Sequence, residues 1–241
     1  DDIGAVLGAL KKATDQGEQT AAANALNAIA GAQKDEVLPA IAAELKDAQA
    51  VTRATLLGGL VRIGSANALQ TFLGELTDDK QDGRDDAVRL FTQWPTRDAA
   101  APMLEMAKKD EGRRAELLRG YVRLATGEPD AGKKTEMLTA AWELAQRTEE
   151  KWIVLPGWGS LATPHSLEVL TKLLDDADVH NEAGIALITA AKSFAGQGED
   201  HKKAAIEALK TVLAKTDNQG AKDRATKVLA DLGVDVNAQP K

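Results

Sequence analysis

The fold is decided by residues 38–64, LPAIAAELKDAQAVTRATLLGGLVRIG, which contain two amphipathic segments in close succession. Apolar side chains recur at helical spacing in both segments: Leu38, Ile41, Ala42 and Leu45, then Leu56, Leu57, Leu60, Val61 and Ile63. Polar residues 46–49 separate the segments, and Gly64 follows the second one as a typical C-terminal stop. The stretch therefore predicts a hairpin of two helices.

The same hairpin pattern repeats along the chain. The ends of the second segments are marked by small residues or proline at intervals of 30 to 38 residues: Gly31, Gly64, Pro95, Ala125, Ala162, Ala195 and Gly233. Such residues let the chain turn and let the next helix pack closely. The spacing predicts about seven stacked helix pairs of roughly 34 residues each.

The composition agrees with an all-α chain and limits the classes of partner that are expected. Aromatic residues make up only 3% of the 241 residues, which favours helices over sheets. The net charge of −7 opposes binding to phosphate, so no nucleic-acid partner is expected. No apolar run reaches the ~18 residues needed to span a bilayer, so no membrane insertion is expected. The absence of cysteine excludes disulfides, thiolate metal sites and a cysteine nucleophile.

Three columns of equivalent residues, counted back from five of the seven markers, support the repeat, and the first and sixth pairs fit them less well. Positions four before the markers are bulky and apolar: Leu60, Phe91, Tyr121, Trp158 and Leu229. Positions one before the markers are also apolar: Ile63, Trp94, Leu124, Leu161 and Leu232. Positions eleven before the markers are basic: Arg53, Arg84, Arg114, Lys151 and Lys222. We expect the apolar columns to form the core between neighbouring pairs.

Acidic residues precede several members of the basic column, notably Asp47, Asp79 and Asp110. This acid-then-arginine pattern resembles the HEAT repeat of the armadillo-type fold, in which an Asp/Arg ladder links adjacent turns. The resemblance implies a right-handed α-α superhelix. Guanidinium groups in such a column bond carbonyls and carboxylates of neighbouring repeats, so we expect a structural role for it.

The resemblance is closer between Arg84 and Leu174. It is carried by residues 84–89 (RDDAVR), Trp94-Pro95, residues 118–124 (LRGYVRL) and residues 150–155 (EKWIVL). These segments look like HEAT-repeat regions of large envelope proteins in planctomycete-type bacteria, where such arrays lie beside cytochrome or sugar-hydrolase-like modules. The resemblance implies a scaffold in a periplasmic or secreted protein.

The predicted domain organisation is a single repeat array over residues 1–233, followed by a tail or linker over residues 234–241. The least regular helix contains residues 155–161, LPGWGSL, where proline and two glycines predict a kink. Such a kink would either expose Trp152 or Trp158 to a partner or pack both rings, and we favour packing.

The sequence contains no recognisable catalytic arrangement. His165, His180 and His201 are too widely separated to indicate a metal site, and no phosphate-binding or nucleophile motif occurs. Acidic pairs at Asp85-Asp86, Asp175-Asp176, Glu149-Glu150 and Asp78-Asp79 are interpreted as solvated helix caps. We therefore predict a protein that is not an enzyme and that has no cofactor or metal.

Three functions remain open. The preferred hypothesis is a protein-interaction scaffold that uses the concave face of the second helices, with candidate partner-binding residues Arg89, Arg119, Arg123, Trp152 and Trp158. The alternative is an accessory carbohydrate-binding region, in which Trp94, Trp142, Trp152 or Trp158 stacks on sugars if exposed. The third is an array that positions a cytochrome module.

Overall fold

The computed structural model describes residues 2–77 and 83–234, and the regular secondary structure within those ranges is helical throughout. Its fourteen α-helices follow one another as seven consecutive pairs, here called first and second helices. The chain divides into two compact units, Asp1–Leu124 (unit 1) and Ala125–Lys241 (unit 2). The predicted all-α fold built from seven helix pairs is confirmed for the described part of the chain.

Unit 1 contains the first three helix pairs and most of the fourth. Its helices are α1 (Ile3–Lys12), α2 (Gln16–Gln33), α3 (Leu38–Leu45), α4 (Ala50–Ile63), α5 (Ala66–Thr77), α6 (Arg84–Phe91), α7 (Ala100–Lys109) and α8 (Arg114–Thr126). Short 3-10 helices, Lys34–Glu36 and Arg97–Ala99, precede α3 and α7. The boundary between the units falls near the end of α8.

Unit 2 contains the last three pairs. Its helices are α9 (Ala131–Leu144), α10 (Thr148–Gly159), α11 (Pro164–Leu173), α12 (His180–Ala195), α13 (Glu199–Lys215) and α14 (Gln219–Asp231). Helix α10 stays helical through Pro156, which supplies no N–H for the carbonyl one turn earlier.

Local sequence explains where several helices begin and end. The side chains of Asp15, Asp130 and Asn218 each accept a backbone N–H in the first turn of the following helix. Gly64 ends α4 in the left-handed region, at φ 66°, and a Cβ there would lie 2.5 Å from Cγ of Pro95. Both the backbone conformation and the close neighbour require glycine at this position.

The predicted apolar columns form the core. Leu60, Phe91, Tyr121, Trp158 and Leu229 are all buried, and so are Ile63, Trp94, Leu124 and Leu161. Leu232, at the end of the last pair, is half-buried. In unit 1 the ring of Phe72 stacks on Phe91 at 5.8 Å and meets Trp94 edge-on at 5.6 Å between ring centroids. These aromatic residues therefore belong to the core.

The basic column stabilises contacts between helices, but its acidic partners differ from those expected. The buried Arg53 forms an ion pair with Glu75 at 2.5 Å and donates to its carbonyl oxygen, which joins α4 to the first helix of the next pair. Asp110 pairs with Arg113 at 3.0 Å, and the column residue Arg114 pairs with Glu111 at 3.5 Å. The expected bonding of a column guanidinium to a carbonyl and a carboxylate of the neighbouring repeat is found at Arg53, although its acidic partner follows it in the chain instead of preceding it. Asp79 lies outside the described residues.

Two further predictions concern the extent of the array and membrane insertion. The prediction of a single array over residues 1–233 and of a tail over 234–241 stays a prediction, since residues 235–241 lie outside the described part. In the described ranges, no helix combines the length and the apolar character that a bilayer crossing requires.

Candidate functional site

The three predicted arginines have different roles in unit 1. Arg89 forms an exposed ion pair with Asp86 at 2.7 Å, an arrangement that contributes little to stability. Arg123 donates from Nη2 to the carbonyl oxygens of Thr92 and Trp94, at 3.0 and 2.5 Å, and so caps the chain end that follows α6. Arg119 is exposed, and no described residue forms an ion pair with it. Of the three, Arg119 is the one whose guanidinium bonds no described residue of the unit.

The two predicted tryptophans of α10 lie on different faces of that helix. Trp158 is 2% exposed and its ring meets His165 edge-on at 5.8 Å, so it is corrected from a candidate binding residue to a core residue. Trp152 is 46% exposed. The two tryptophans are six residues apart, and each residue turns the helix by about 100°, so their side chains point to different sides of α10. This difference explains why only one of them is buried.

The remaining tryptophans are less accessible than Trp152. Trp94 is buried, and its indole N–H donates to the hydroxyl of Thr96 at 3.1 Å. Trp142 is half-buried, with the ammonium group of Lys151 5.9 Å from its ring centroid. Stacking of a ligand on an open indole face is therefore restricted to Trp152.

A second large apolar side chain lies at the position equivalent to Trp152 on the neighbouring second helix. Ile185 is 36% exposed and, like Trp152, stands ten residues before its marker. Helices α10 and α12 pack closely. A Cβ added to Gly159 would lie only 3.0 Å from the carbonyl oxygen of Ala186. We call Trp152 and Ile185 the Trp152 surface. The sequence analysis missed Ile185, although its shared offset with Trp152 could have identified it.

The indole of Trp152 is held in one orientation. Its N–H donates to the carbonyl oxygen of Asp178 at 3.3 Å, in the segment that leads into α12. The same segment is held by an ion pair between Lys151 and Asp176 at 3.3 Å. The backbone N–H of Asp178 bonds the Asp176 carboxylate and lowers its pKa, with a further contribution from Lys151. The ring is thus fixed before any partner arrives.

The N-terminal side of the Trp152 surface is acidic. Glu149 is exposed and lies 3.3 Å from Arg147, while Asp178 and Glu182 form no ion pair with any described residue. Glu149 and Glu182 stand at equivalent positions, thirteen residues before their markers. An apolar centre beside carboxylates is complementary to a segment that carries apolar and basic side chains.

Glu150 is a helix cap, as the acidic pair predicted, but it is buried rather than solvated. Its carboxylate accepts N–H bonds from Gln146 and Arg147 at 2.9 and 3.1 Å, and the Arg147 side chain donates to it at 2.9 Å. Burial alone would raise the pKa of Glu150, but these hydrogen bonds outweigh it and the pKa is lowered. Glu150 therefore fixes the start of α10 and has a structural role.

The histidines occupy three separate environments. The His201 ring meets Phe194 edge-on at 4.5 Å, and His180 Nδ1 lies 3.0 Å from the carbonyl oxygen of Ala177. In residues 2–77 and 83–234, no three acidic or histidine side chains converge as metal ligands would.

Comparison with known proteins gives one structural likeness. No protein-family model matches the chain, and no curated protein sequence matches it. Among solved structures, the chain is similar to one described as the complex of CpcE and CpcF of phycocyanin lyase from Nostoc sp. PCC7120. The TM-score is 0.43 and the sequence identity 16%, over 94% of this chain and 93% of that one.

This likeness corrects one prediction from the sequence. The chain was predicted not to be an enzyme because it lacks a recognisable catalytic motif, and the described structure is a lyase complex. The prediction that the chain is not an enzyme is therefore withdrawn, since the printed description of that structure names a lyase.

Proposed function

We propose that this chain is a protein-interaction scaffold that holds a partner protein on its second helices, with the Trp152 surface as a contact point in unit 2. The observation that carries the proposal is the joint exposure of Trp152 and Ile185 at equivalent repeat positions. Among the described residues, the large apolar side chains that are exposed are these two and Val51. Adjacent exposed apolar groups favour a partner that removes them from water.

The acidic side of the surface indicates the chemistry of that partner. Asp178 and Glu182 are available for ion pairs, and Trp152 is oriented by its bond to Asp178. A partner segment with an apolar anchor beside lysine or arginine would bury the indole and satisfy the carboxylates. Partner proteins of this kind and the bacterial envelope setting implied by the family resemblance are both part of the proposal.

The proposal is tested by co-purification from the native source, followed by mass spectrometry. The bait variants are Trp152→Ala with Ile185→Ala, and Val51→Ala as a control that removes a more exposed apolar side chain in unit 1. We expect a protein retained by the wild type and by the control, and lost by the double variant with unchanged helicity. The recombinant partner should bind the double variant at least about tenfold more weakly. Equal retention by all three baits would contradict the proposal.

An accessory carbohydrate-binding role is a second candidate, and it is supported by the exposed ring of Trp152. Because Trp94 and Trp158 are buried, this role depends on one ring rather than on four. Binding to immobilised glycans that is lost in Trp152→Ala but retained in Ile185→Ala would favour it. A sugar stacks on the flat indole and has no need of the isoleucine.

A further inference from the structure

A second candidate site, independent of the Trp152 surface, lies in unit 1. It is an open groove of about 810 Å³ across the second helices α2, α4 and α6. The residues that line it are Asn27, Ala28, Lys34, Gly58, Val61, Arg62, Ile63, Gly64, Leu90, Gln93, Pro95 and Thr96. We call it the basic groove.

The charge of the basic groove is opposite to that of the whole chain. Among the described residues, its lining includes the cations Lys34 and Arg62 and the amides Asn27 and Gln93, and no carboxylate. The chain as a whole carries a net charge of −7. Apolar side chains of Val61, Leu90 and Pro95 complete the lining. Such a groove favours an anionic group attached to an apolar one.

Arg62 lies beside α2, and its guanidinium bonds none of the described residues. No described residue forms an ion pair or side-chain hydrogen bond with Arg62, which is exposed. Its Nε lies 2.8 Å from the position that a Cβ on Gly31 would occupy, so the guanidinium rests against the backbone of α2. A planar guanidinium whose donors bond no described residue is suited to bind a carboxylate with two hydrogen bonds.

Lys34 adds an independent observation. It is the one non-glycine residue with positive φ, at 53°, in the described part of the chain. A non-glycine residue in this conformation is strained, and such strain is concentrated at binding and catalytic sites. Its ammonium group lies 3.5 Å from the carbonyl oxygen of Ile63, at the C-terminal end of α4. Lys34 therefore brings a positive charge to the same end of the groove as Arg62.

We propose that the basic groove binds carboxylate side chains of an acidic peptide segment, with Arg62 as the anchor and Lys34 as the second cation. The apolar lining receives an aliphatic side chain that accompanies the carboxylates. A peptide is favoured over a nucleic acid because the negative charge of the rest of the chain opposes a long polyanion. This proposal goes beyond the scaffold contact at Trp152, since it involves a different unit, different residues and a partner of opposite charge.

The test uses fluorescence anisotropy with end-blocked, fluorescein-labelled peptides. The probe is Glu-Glu-Leu-Glu-Glu-Leu, and the uncharged comparison is Gln-Gln-Leu-Gln-Gln-Leu. A labelled hexathymidylate measures attraction for phosphate. The protein variants are Arg62→Gln, Lys34→Gly and the control Lys46→Gln, which removes an exposed charge of unit 1 that does not line the groove. Lys34→Gly removes a cation and also relieves the backbone strain, so weaker binding cannot be attributed to unfolding.

We expect the acidic peptide to bind at least about tenfold more tightly than the uncharged one. Arg62→Gln and Lys34→Gly should each weaken that binding by about fivefold, the upper range for an exposed ion pair, while Lys46→Gln changes it by less than about twofold. Equal binding of both peptides, equally tight hexathymidylate binding, or no effect of either groove variant would overturn the proposal. The scaffold proposal is tested with the Trp152→Ala and Ile185→Ala baits and not with these peptides. Each of the two proposals can therefore fail while the other stands.

Discussion

Single residues have large effects in this chain where a charged group is buried, and Glu150 is the clearest case. Its carboxylate accepts two backbone N–H groups and the Arg147 side chain at the start of α10. In Glu150→Gln an amide N–H₂ would face these donors. We expect the free energy of unfolding to fall by about 2 kcal/mol, measured by urea denaturation at neutral pH. The exposed Glu149→Gln should change it by less than about 0.5 kcal/mol.

The same residue predicts a dependence of stability on pH. The pKa of Glu150 is lower in the folded chain than the ordinary value of about 4.3. Its contribution is therefore complete above that ordinary value and disappears as the pH falls through the lower, folded-state pKa. The stability difference between wild type and Glu150→Gln should be large at pH 7 and should shrink as the pH falls through the folded-state pKa. A constant difference would show that the charge of Glu150 has no part in it.

Gly64 shows the effect of backbone conformation at one position. Its φ of 66° and the short distance to Pro95 both disfavour a side chain. Gly64→Ala should lower the free energy of unfolding by about 2 kcal/mol. Gly8→Ala, in α1 with no atom within 4 Å of the new Cβ, should raise it by about 0.5 kcal/mol. Thermal unfolding of the two variants provides the comparison, and a stabilising Gly64→Ala would contradict the assigned conformation.

At the scale of helices, side chains of one pair cap the end of the preceding second helix. Arg123 donates to the carbonyl oxygens of Thr92 and Trp94, and Gln197 donates to that of Ala162 at 2.8 Å. These bonds satisfy carbonyls that a helix end leaves without a partner. The caps therefore fix how consecutive pairs follow one another inside each unit.

This capping predicts that two neighbouring arginines of α8 behave differently. Arg123→Ala should lower the free energy of unfolding by about 1.5 kcal/mol, because two carbonyl oxygens lose their donor. Arg119→Ala should leave it within about 0.5 kcal/mol of the wild type. Urea denaturation of both variants distinguishes the structural arginine from the free one, and equal effects would contradict the distinction.

The helical elements could be predicted from sequence better than the sites, for a physical reason. Burial between helix pairs imposes bulky residues such as Phe91 and Leu229 at a fixed offset, and this periodic constraint is visible in the sequence. Binding to a partner imposes no such periodic constraint on the sequence. Lys34 and Arg62 lie outside the basic column and were missed, because what brings them to one groove is the packing of α2 against α4. Trp158 could have been excluded, since it already belonged to an apolar column.

For the whole molecule, the four tryptophans report how much of the repeat core is accessible to small molecules. Trp94 and Trp158 are buried, Trp142 is half-buried and Trp152 is 46% exposed. Acrylamide, which is uncharged and so unaffected by the acidic side of the Trp152 surface, should quench a minor part of the fluorescence. Trp152→Phe should remove most of that part, whereas Trp94→Phe should leave it. A quenchable fraction that persists in Trp152→Phe would place the exposed ring elsewhere.

The contact between Arg62 and Gly31 joins two positions that are far apart in sequence but in adjacent helix pairs. A methyl group at position 31 would lie 2.8 Å from Arg62 Nε, so a side chain there requires the guanidinium to move away from α2. Across related chains the two positions should therefore vary together: glycine at the first where the second is arginine, and a larger residue at the first where the second is short. Related chains that show this covariation would either keep both residues, and with them the basic groove, or lose both together.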